Sequence, residues 1–125
     1  MTSPTATLDV RVSDSVFDPR EKRRTVRRKT SESGRPLYQV RLFLEGYDLP
    51  YVRAVTYHLH STFRNRVQRV ERTAANQNCK LEIWTWGIFE AKAVIEDKAG
   101  REHVRTHMLT YGNELEGGVD AILAV

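Results

Sequence analysis

The sequence predicts an all-β protein, built as an antiparallel β-sandwich of about seven to eight short strands. Apolar and polar residues alternate in several short segments, which is typical of strands buried on one face. These segments recur about every 8–12 residues, separated by Gly, Pro, Asp and Ser. They do not alternate with long helical segments, which disfavours a parallel α/β sheet.

Four strands are expected in the first half of the chain. Residues 8–12 alternate, and residues 25–30 read as an exposed, edge-like strand. Apolar residues alternate over 38–44 and again over 55–59, where Val55, Tyr57 and Leu59 are expected to face inward and Thr56, His58 and His60 outward. The segment 31–36 has the composition of a loop.

The second half of the chain continues this pattern. Strands are expected at 81–83 and 89–95, followed by a hairpin-type turn at 97–100 and a final strand over 104–111. The segment 67–77 is ambiguous, because its charged residues fit either a helix or a polar crossover.

Length and composition narrow the class of protein. A chain of 125 residues fits one domain with its own core. No apolar run approaches the roughly 20 residues of a membrane helix, and residues 1–5 lack the pattern of a secretory signal. Cys79 is the only cysteine, which excludes an internal disulfide and favours a reducing, cytoplasmic location. No cofactor is expected.

The excess positive charge lies in one early segment. Residues 20–35 contain eight basic and two acidic side chains, whereas residues 36–125 contain eleven of each. Arg23, Arg24, Arg27 and Arg28 in this basic tract either contact an anionic partner, such as nucleic acid or an acidic protein, or are solvated charges that discourage aggregation of an edge strand. The tract has no interleaved aromatic residues, so stacking on single strands is not indicated.

Two short motifs carry the most specific information. Residues 57–63 read YHLHSTF, and residues 84–90 read WTWGIFE. An LH-x-x-F element followed about two dozen residues later by W-G-x-F resembles the YEATS domain family, and in particular its prokaryotic branch. The resemblance spans roughly residues 38–111. It implies an immunoglobulin-like sandwich over residues 20–125, preceded by an N-terminal strand or arm at 1–19.

The resemblance also implies a function. The eukaryotic members of the family read acylated lysine, chiefly on histone tails, and their acyl group slides between aromatic rings at one end of the sandwich. The ligand-binding residues implied here are His60, Thr62, Phe63, Thr85, Trp86, Gly87 and Phe89. Phe63 and Trp86 would be the sandwiching rings, with Phe89 as floor, His60 as lining and Thr62 as partner of the acyl amide. The backbone N–H of Trp86 or of the following glycine would bond the acyl carbonyl.

Two other readings of the same fold stay open. Pro36 and Thr85 stand where reader domains usually have an aromatic residue and a glycine, and residues 64–66 (Arg-Asn-Arg) make the rim cationic. The first alternative is therefore a protein-interaction or scaffold domain without acyl-lysine binding. The second is an adaptor that binds nucleic acid through the basic tract.

The aromatic and ionisable residues can also have purely structural roles. Trp84, Trp86 and Phe89 are either ligand walls or core, and strand alternation predicts that only one tryptophan faces inward. His58 and His60 share a strand face, but no further ligands with zinc-site spacing accompany them, so no metal is expected. No nucleophile motif is present, and an enzyme is not expected.

Overall fold

A computed structural model of the chain describes residues 7–125. The segment on which the expectation about a secretory signal depends lies outside this range. The described part contains nine strands, one α-helix and one 3₁₀ turn. They are β1 (Arg11–Ser15), β2 (Thr25–Thr30), β3 (Pro36–Glu45), the 3₁₀ turn (Leu49–Tyr51), β4 (Val52–His58), β5 (Val67–Glu71), β6 (Leu81–Thr85), β7 (Glu90–Asp97), β8 (Glu102–Met108), α1 (Tyr111–Glu116) and β9 (Ala121–Ala124).

The strands form two sheets. In the first, β3 is central: β6 pairs along one edge, and β1 and β2 share the other edge, all antiparallel. The second sheet has the antiparallel order β5-β4-β7-β8. The prediction of an immunoglobulin-like antiparallel sandwich is confirmed. No helix among residues 7–125 has the length and hydropathy of a bilayer-spanning segment.

The core lies between the two inner faces and follows the alternation of the sequence. In β3 the buried apolar residues are Val40, Leu42 and Leu44, and in β4 they include Val55 and Tyr57. Each inner-face side chain that leaves water stabilises the fold by about 1.5–3 kcal/mol. The inward face predicted for residues 55–59 is confirmed.

The core also contains a hydrogen bond between a buried side chain and the backbone. The buried Tyr57 hydroxyl donates to the carbonyl oxygen of Cys79 over 2.8 Å. Cys79 has a φ of +52°, a left-handed conformation just before β6. Burial raises the pKa of the Cys79 thiol to about 11, so the thiol is neutral near pH 7.

Three strand predictions need correction. β2 is not an edge strand, because β9 pairs with it in parallel and covers that side. The final strand ends at Met108, after which the chain forms α1 and then β9. The first strand begins at Arg11, so Leu8 precedes it. The first two differences arise from the C-terminal segment, and the third is a shift in where the first strand begins.

The ambiguous segment is a strand followed by turns. β5 pairs antiparallel with β4, and its residues alternate between exposed and half-buried. Val67 is 55% exposed, whereas Val70 is half-buried and packs against the core. Pairing with β4 and the burial of this one side chain favour the strand.

A buried carboxylate organises the start of the first sheet. The Asp18 side chain is fully buried and accepts hydrogen bonds from Arg20 Nε and Nη2 at 3.0 Å and from Arg27 Nε at 2.6 Å. Arg41 Nη2 lies 3.7 Å away and also contacts Glu82 at 3.3 Å. The hydrogen bonds from Arg20 and Arg27 and the charge of Arg41 hold the pKa of Asp18 well below its ordinary value.

We expect Asp18→Asn to lower the free energy of unfolding by about 3 kcal/mol, because it leaves the buried Arg41 guanidinium with only Glu82 as counter-charge. Urea denaturation at pH 7 measures this loss. The matched control is Asp120→Asn, whose partner Arg24 is exposed and 3.7 Å away, and it should cost much less. Equal losses in the two variants would contradict the role given to Asp18.

The same carboxylate predicts a pH dependence. Its folded pKa is lowered, so its stabilising contribution is present above the unfolded pKa of about 3.9 and is lost as pH falls below it. Between pH 5 and pH 3, the wild-type chain should therefore lose more stability than Asp18→Asn.

Candidate functional site

Three loops meet at one end of the sandwich. They follow β2, β4 and β6 and consist of residues 31–35, 59–66 and 86–89. Two of them enclose a cavity of about 220 Å³. This cavity, here called the slot, is lined by His60, Thr62, Phe63, Thr85, Trp86, Gly87, Ile88 and Phe89. The structure therefore brings together all seven residues of the predicted site and adds Ile88.

Two phenylalanines form the inner part of the slot. Phe89 is 8% exposed and belongs to the core, and the Phe63 ring centroid lies 5.3 Å from that of Phe89 with the planes inclined at 58°. The imidazole of His60 lies 6.3 Å from the same ring. This tilted packing is favourable for aromatic pairs and holds the Phe63 ring against a fixed base.

The outer wall is a tryptophan that points into solvent. Trp86 is 60% exposed, and the guanidinium carbon of Arg35 lies 4.3 Å from the centre of its ring. Trp84, two residues earlier, has the Lys29 ammonium 4.5 Å above its ring. A cation over an indole face is attracted by its quadrupole, so both rings are held in place by basic side chains.

The expectation that one tryptophan faces inward is wrong. Ile83 and Thr85 are the buried residues of β6, which places Trp84 and Trp86 together on the outer face of the sheet. Trp84 and Trp86 are two residues apart, so a period of two places them on the same face and cannot direct only one of them inward. Trp86 is consequently a surface wall of the slot, whereas Phe89 is both core and floor.

His60 and Thr62 form a hydrogen-bonded pair of polar side chains in the slot. The Thr62 backbone N–H donates to His60 Nδ1 over 3.2 Å, which makes Nδ1 an acceptor. The Thr62 hydroxyl lies 2.9 Å from the same nitrogen and must then donate to it. This network leaves the lone pairs of Thr62 Oγ1 free to accept a hydrogen bond from another group.

The loop after β6 is braced from below. Gly87 N–H donates to Thr85 Oγ1 over 3.3 Å, and the Gly87 carbonyl accepts a 3.0 Å hydrogen bond from the Tyr111 hydroxyl. Burial raises the pKa of Tyr111, which keeps this hydroxyl protonated. Tyr111 is a supporting residue that the sequence did not reveal, because it lies 24 residues from Gly87 and α1 itself was not predicted.

The residues that motivated the scaffold alternative do not fill the slot. Pro36 is an exposed residue at the start of β3, and Arg64 and Trp84 line neighbouring depressions instead. Thr85 does lie in the slot, where its buried hydroxyl is within 3.3 Å of both Gly87 N and Gly87 O.

The four arginines of the predicted anionic contact are in different environments. Arg27 is bound to Asp18, and Arg24 contacts Asp120 and the carbonyl of Gly117. Arg23 and Arg28 are exposed and make no ion pair within residues 7–125. Within the same range, no group of three or more His, Cys, Asp or Glu side chains is arranged to hold a metal ion.

The geometry defines a class of protein before any comparison is made: an immunoglobulin-like sandwich with an aromatic slot between the loops at one end. The chain belongs to the prokaryotic YEATS domain family, whose family model matches residues 38–110. Among solved structures, it is similar to the Yaf9 YEATS domain recognizing an H3K122suc peptide, with a TM-score of 0.55 and 17% identity. That match covers 90% of this chain and 82% of the other, and it shows the fold. A comparison with curated proteins gives no significant match.

The tryptophan wall and the phenylalanine floor of the slot should respond differently to truncation. Trp86→Ala should change the free energy of unfolding by less than about 1 kcal/mol, because the ring is mostly exposed. Phe89→Ala should cost about 3–5 kcal/mol, because it opens a cavity in the core. Urea denaturation of both variants gives the comparison, and a large loss in Trp86→Ala would show that its ring is a core residue.

Proposed function

We propose that this domain is a non-enzymatic binding module whose slot takes an acylated lysine side chain or a similar flat, neutral group. The observation that carries the proposal is the convergence of His60, Thr62, Phe63, Trp86 and Phe89 around one cavity of about 220 Å³. Because the Trp86 ring is mostly exposed, a flat ligand can enter beside Phe63.

The polar groups of the slot suit an amide. Leaving a buried donor or acceptor unpaired costs about 1–3 kcal/mol, so an acyl amide needs a partner for its N–H and one for its C=O. Thr62 Oγ1 can accept from the N–H, because its own proton is directed to His60 Nδ1. Gly87 N–H makes only a 3.3 Å bond to Thr85 Oγ1, and we assign to it, or to the N–H of Trp86, the acyl carbonyl.

The same walls disfavour an unmodified lysine. An ammonium that enters a slot of aromatic and aliphatic groups loses its hydration shell. The residues that line the slot include no carboxylate that could compensate for this loss. Acylation removes this charge and leaves a planar group. Selectivity for the modified side chain therefore follows from desolvation.

Acyl-lysine binding is tested by titrating the ¹⁵N-labelled domain with two peptides of one neutral sequence, containing either acetyl-lysine or lysine. We expect the amide signals of the two slot loops, 59–66 and 86–89, to shift with the acetylated peptide only. Trp86→Ala should abolish the shifts while leaving the rest of the spectrum unchanged. The absence of shifts at millimolar peptide would reject an acyl-lysine site.

Thr62 provides a sharper test of the hydrogen-bond assignment. Thr62→Val keeps the shape but removes the acceptor, and should weaken acetyl-lysine binding by about tenfold. Thr62→Ser retains the hydroxyl and is the matched control. Calorimetric titration measures both affinities. Binding that survives in Thr62→Val but is lost in Thr62→Ser would indicate that Thr62 acts through its methyl group and would contradict the hydrogen-bond assignment.

A scaffold domain of the same fold is the second candidate. The observation that favours it is the Arg35 guanidinium over Trp86, which already occupies one face of the ring that a ligand would use. In that case Arg35→Ala should not create binding, and the titration above should stay flat in both proteins.

A further inference from the structure

A wider depression lies beside the slot. Its inner part, of about 260 Å³, is lined by Ser31, Ser33, Leu37, Thr62, Phe63, Trp84, Thr85 and Trp86. Its outer part, of about 870 Å³, extends along the loop after β2 to Lys29, Glu32 and Arg64. We call both parts together the flanking groove. The groove and the slot share four lining residues, so the two cavities adjoin each other.

The flanking groove is basic. Lys29 and Arg64 line it, Arg35 belongs to the loop that borders it, and Arg66 is exposed two residues after Arg64. Within residues 7–125, none of these four cations forms an ion pair. Glu32 is the acidic side chain among the lining residues, so positive charge dominates.

Other cations of the basic tract are used differently. Arg20 and Arg27 are bound to the buried carboxylate of Asp18, and Arg24 is bound to Asp120. These ion pairs fix the fold around β2. The fold thus divides the tract into charges that it uses internally and charges that it presents at the groove, where Lys29 and Arg35 lie over Trp84 and Trp86.

We propose that the flanking groove binds an extended, acidic polypeptide segment that carries the modified lysine. This inference rests on the proposed function of the slot and specifies the partner. The modified side chain enters the slot between Phe63 and Trp86, while acidic residues next to it face Lys29 and Arg64. The hydroxyls of Ser31 and Ser33 lie 3.0 Å apart, so one donates to the other and the second O–H remains as a donor for a carboxylate on the same side.

Charge and ring geometry favour this occupant over the alternatives. A basic tail would place like charges beside Arg64 and Arg66, which weakens association. Single-stranded nucleic acid binds by stacking bases on exposed aromatic faces. Here each tryptophan already has a cation over one face, at 4.5 Å for Trp84 and 4.3 Å for Trp86.

The test uses three fluorescent peptides that share a central acetyl-lysine and differ only in flanks of Asp/Glu, Ser/Ala or Lys/Arg. Anisotropy at 50 mM and 300 mM salt should rank them acidic, neutral and basic, with the acidic peptide about tenfold tighter than the basic one at low salt and the difference reduced at high salt. Equal affinities, or tighter binding of the basic peptide, would overturn the proposal.

Two double variants locate the effect. Lys29→Gln with Arg64→Gln should remove most of the preference for acidic flanks. Arg23→Gln with Arg28→Gln removes the same charge from exposed positions outside the groove and should retain the preference. Identical behaviour of the two variants would show that net charge, rather than the groove, determines the ranking.

The design separates this inference from the function on which it rests. If the neutral acetylated peptide binds but flank charge has no effect, the groove proposal alone fails. If no acetylated peptide binds while an unacetylated acidic peptide does, the slot proposal fails and the combined partner proposed here is overturned. Binding of a single-stranded oligonucleotide through Lys29 and Arg64, without binding of the acidic peptide, would reassign the groove to nucleic acid.

Discussion

The site depends on the direction in which the strands run. β2 and β6 both pair antiparallel with β3, so these two strands end at the same tip of the first sheet. In the second sheet, β4 pairs antiparallel with β7, whose first residue follows the loop after β6. The loops that follow β2, β4 and β6 therefore emerge together. Reversing the direction of β4 or of β6 would carry Thr62 or Trp86, respectively, to the far end of the sandwich.

Long-range polar contacts hold this tip in place. Asp14 in β1 accepts hydrogen bonds from His107 at the end of β8 and from Thr110 just before α1. Glu114 in α1 accepts from Ser15 and from the backbone N–H of the following valine. The start of α1 is fixed on both sides, and its Tyr111 in turn holds the Gly87 carbonyl. The loop after β6, which forms one wall of the slot, is therefore supported by α1 near the C-terminal end of the chain.

The sequence was informative where burial imposes alternation and where motif residues are local. β3 and β4 could be predicted because their apolar residues face one core, and the two motif loops because their residues are contiguous in the sequence. The parallel partner of β2 could not, because β9 is nearly a hundred residues away and its apolar residues stay largely exposed, as Ile122 does at 51%. The alternation of β6 was also readable, because Ile83 and Thr85 take the inward positions and leave both tryptophans on the other face.

The three-dimensional arrangement changes what the basic tract implies. In the sequence, residues 20–35 form one block of charge, whereas in the fold Asp18 and Asp120 neutralise part of it. What remains at the tip surrounds a slot without carboxylates. An unmodified lysine would meet both a desolvation cost and repulsion from Arg35 and Arg64 there. Under the proposed function, acylation would remove both penalties at once, so the cationic rim would strengthen discrimination against the unmodified side chain and favour a ligand with acidic flanking residues.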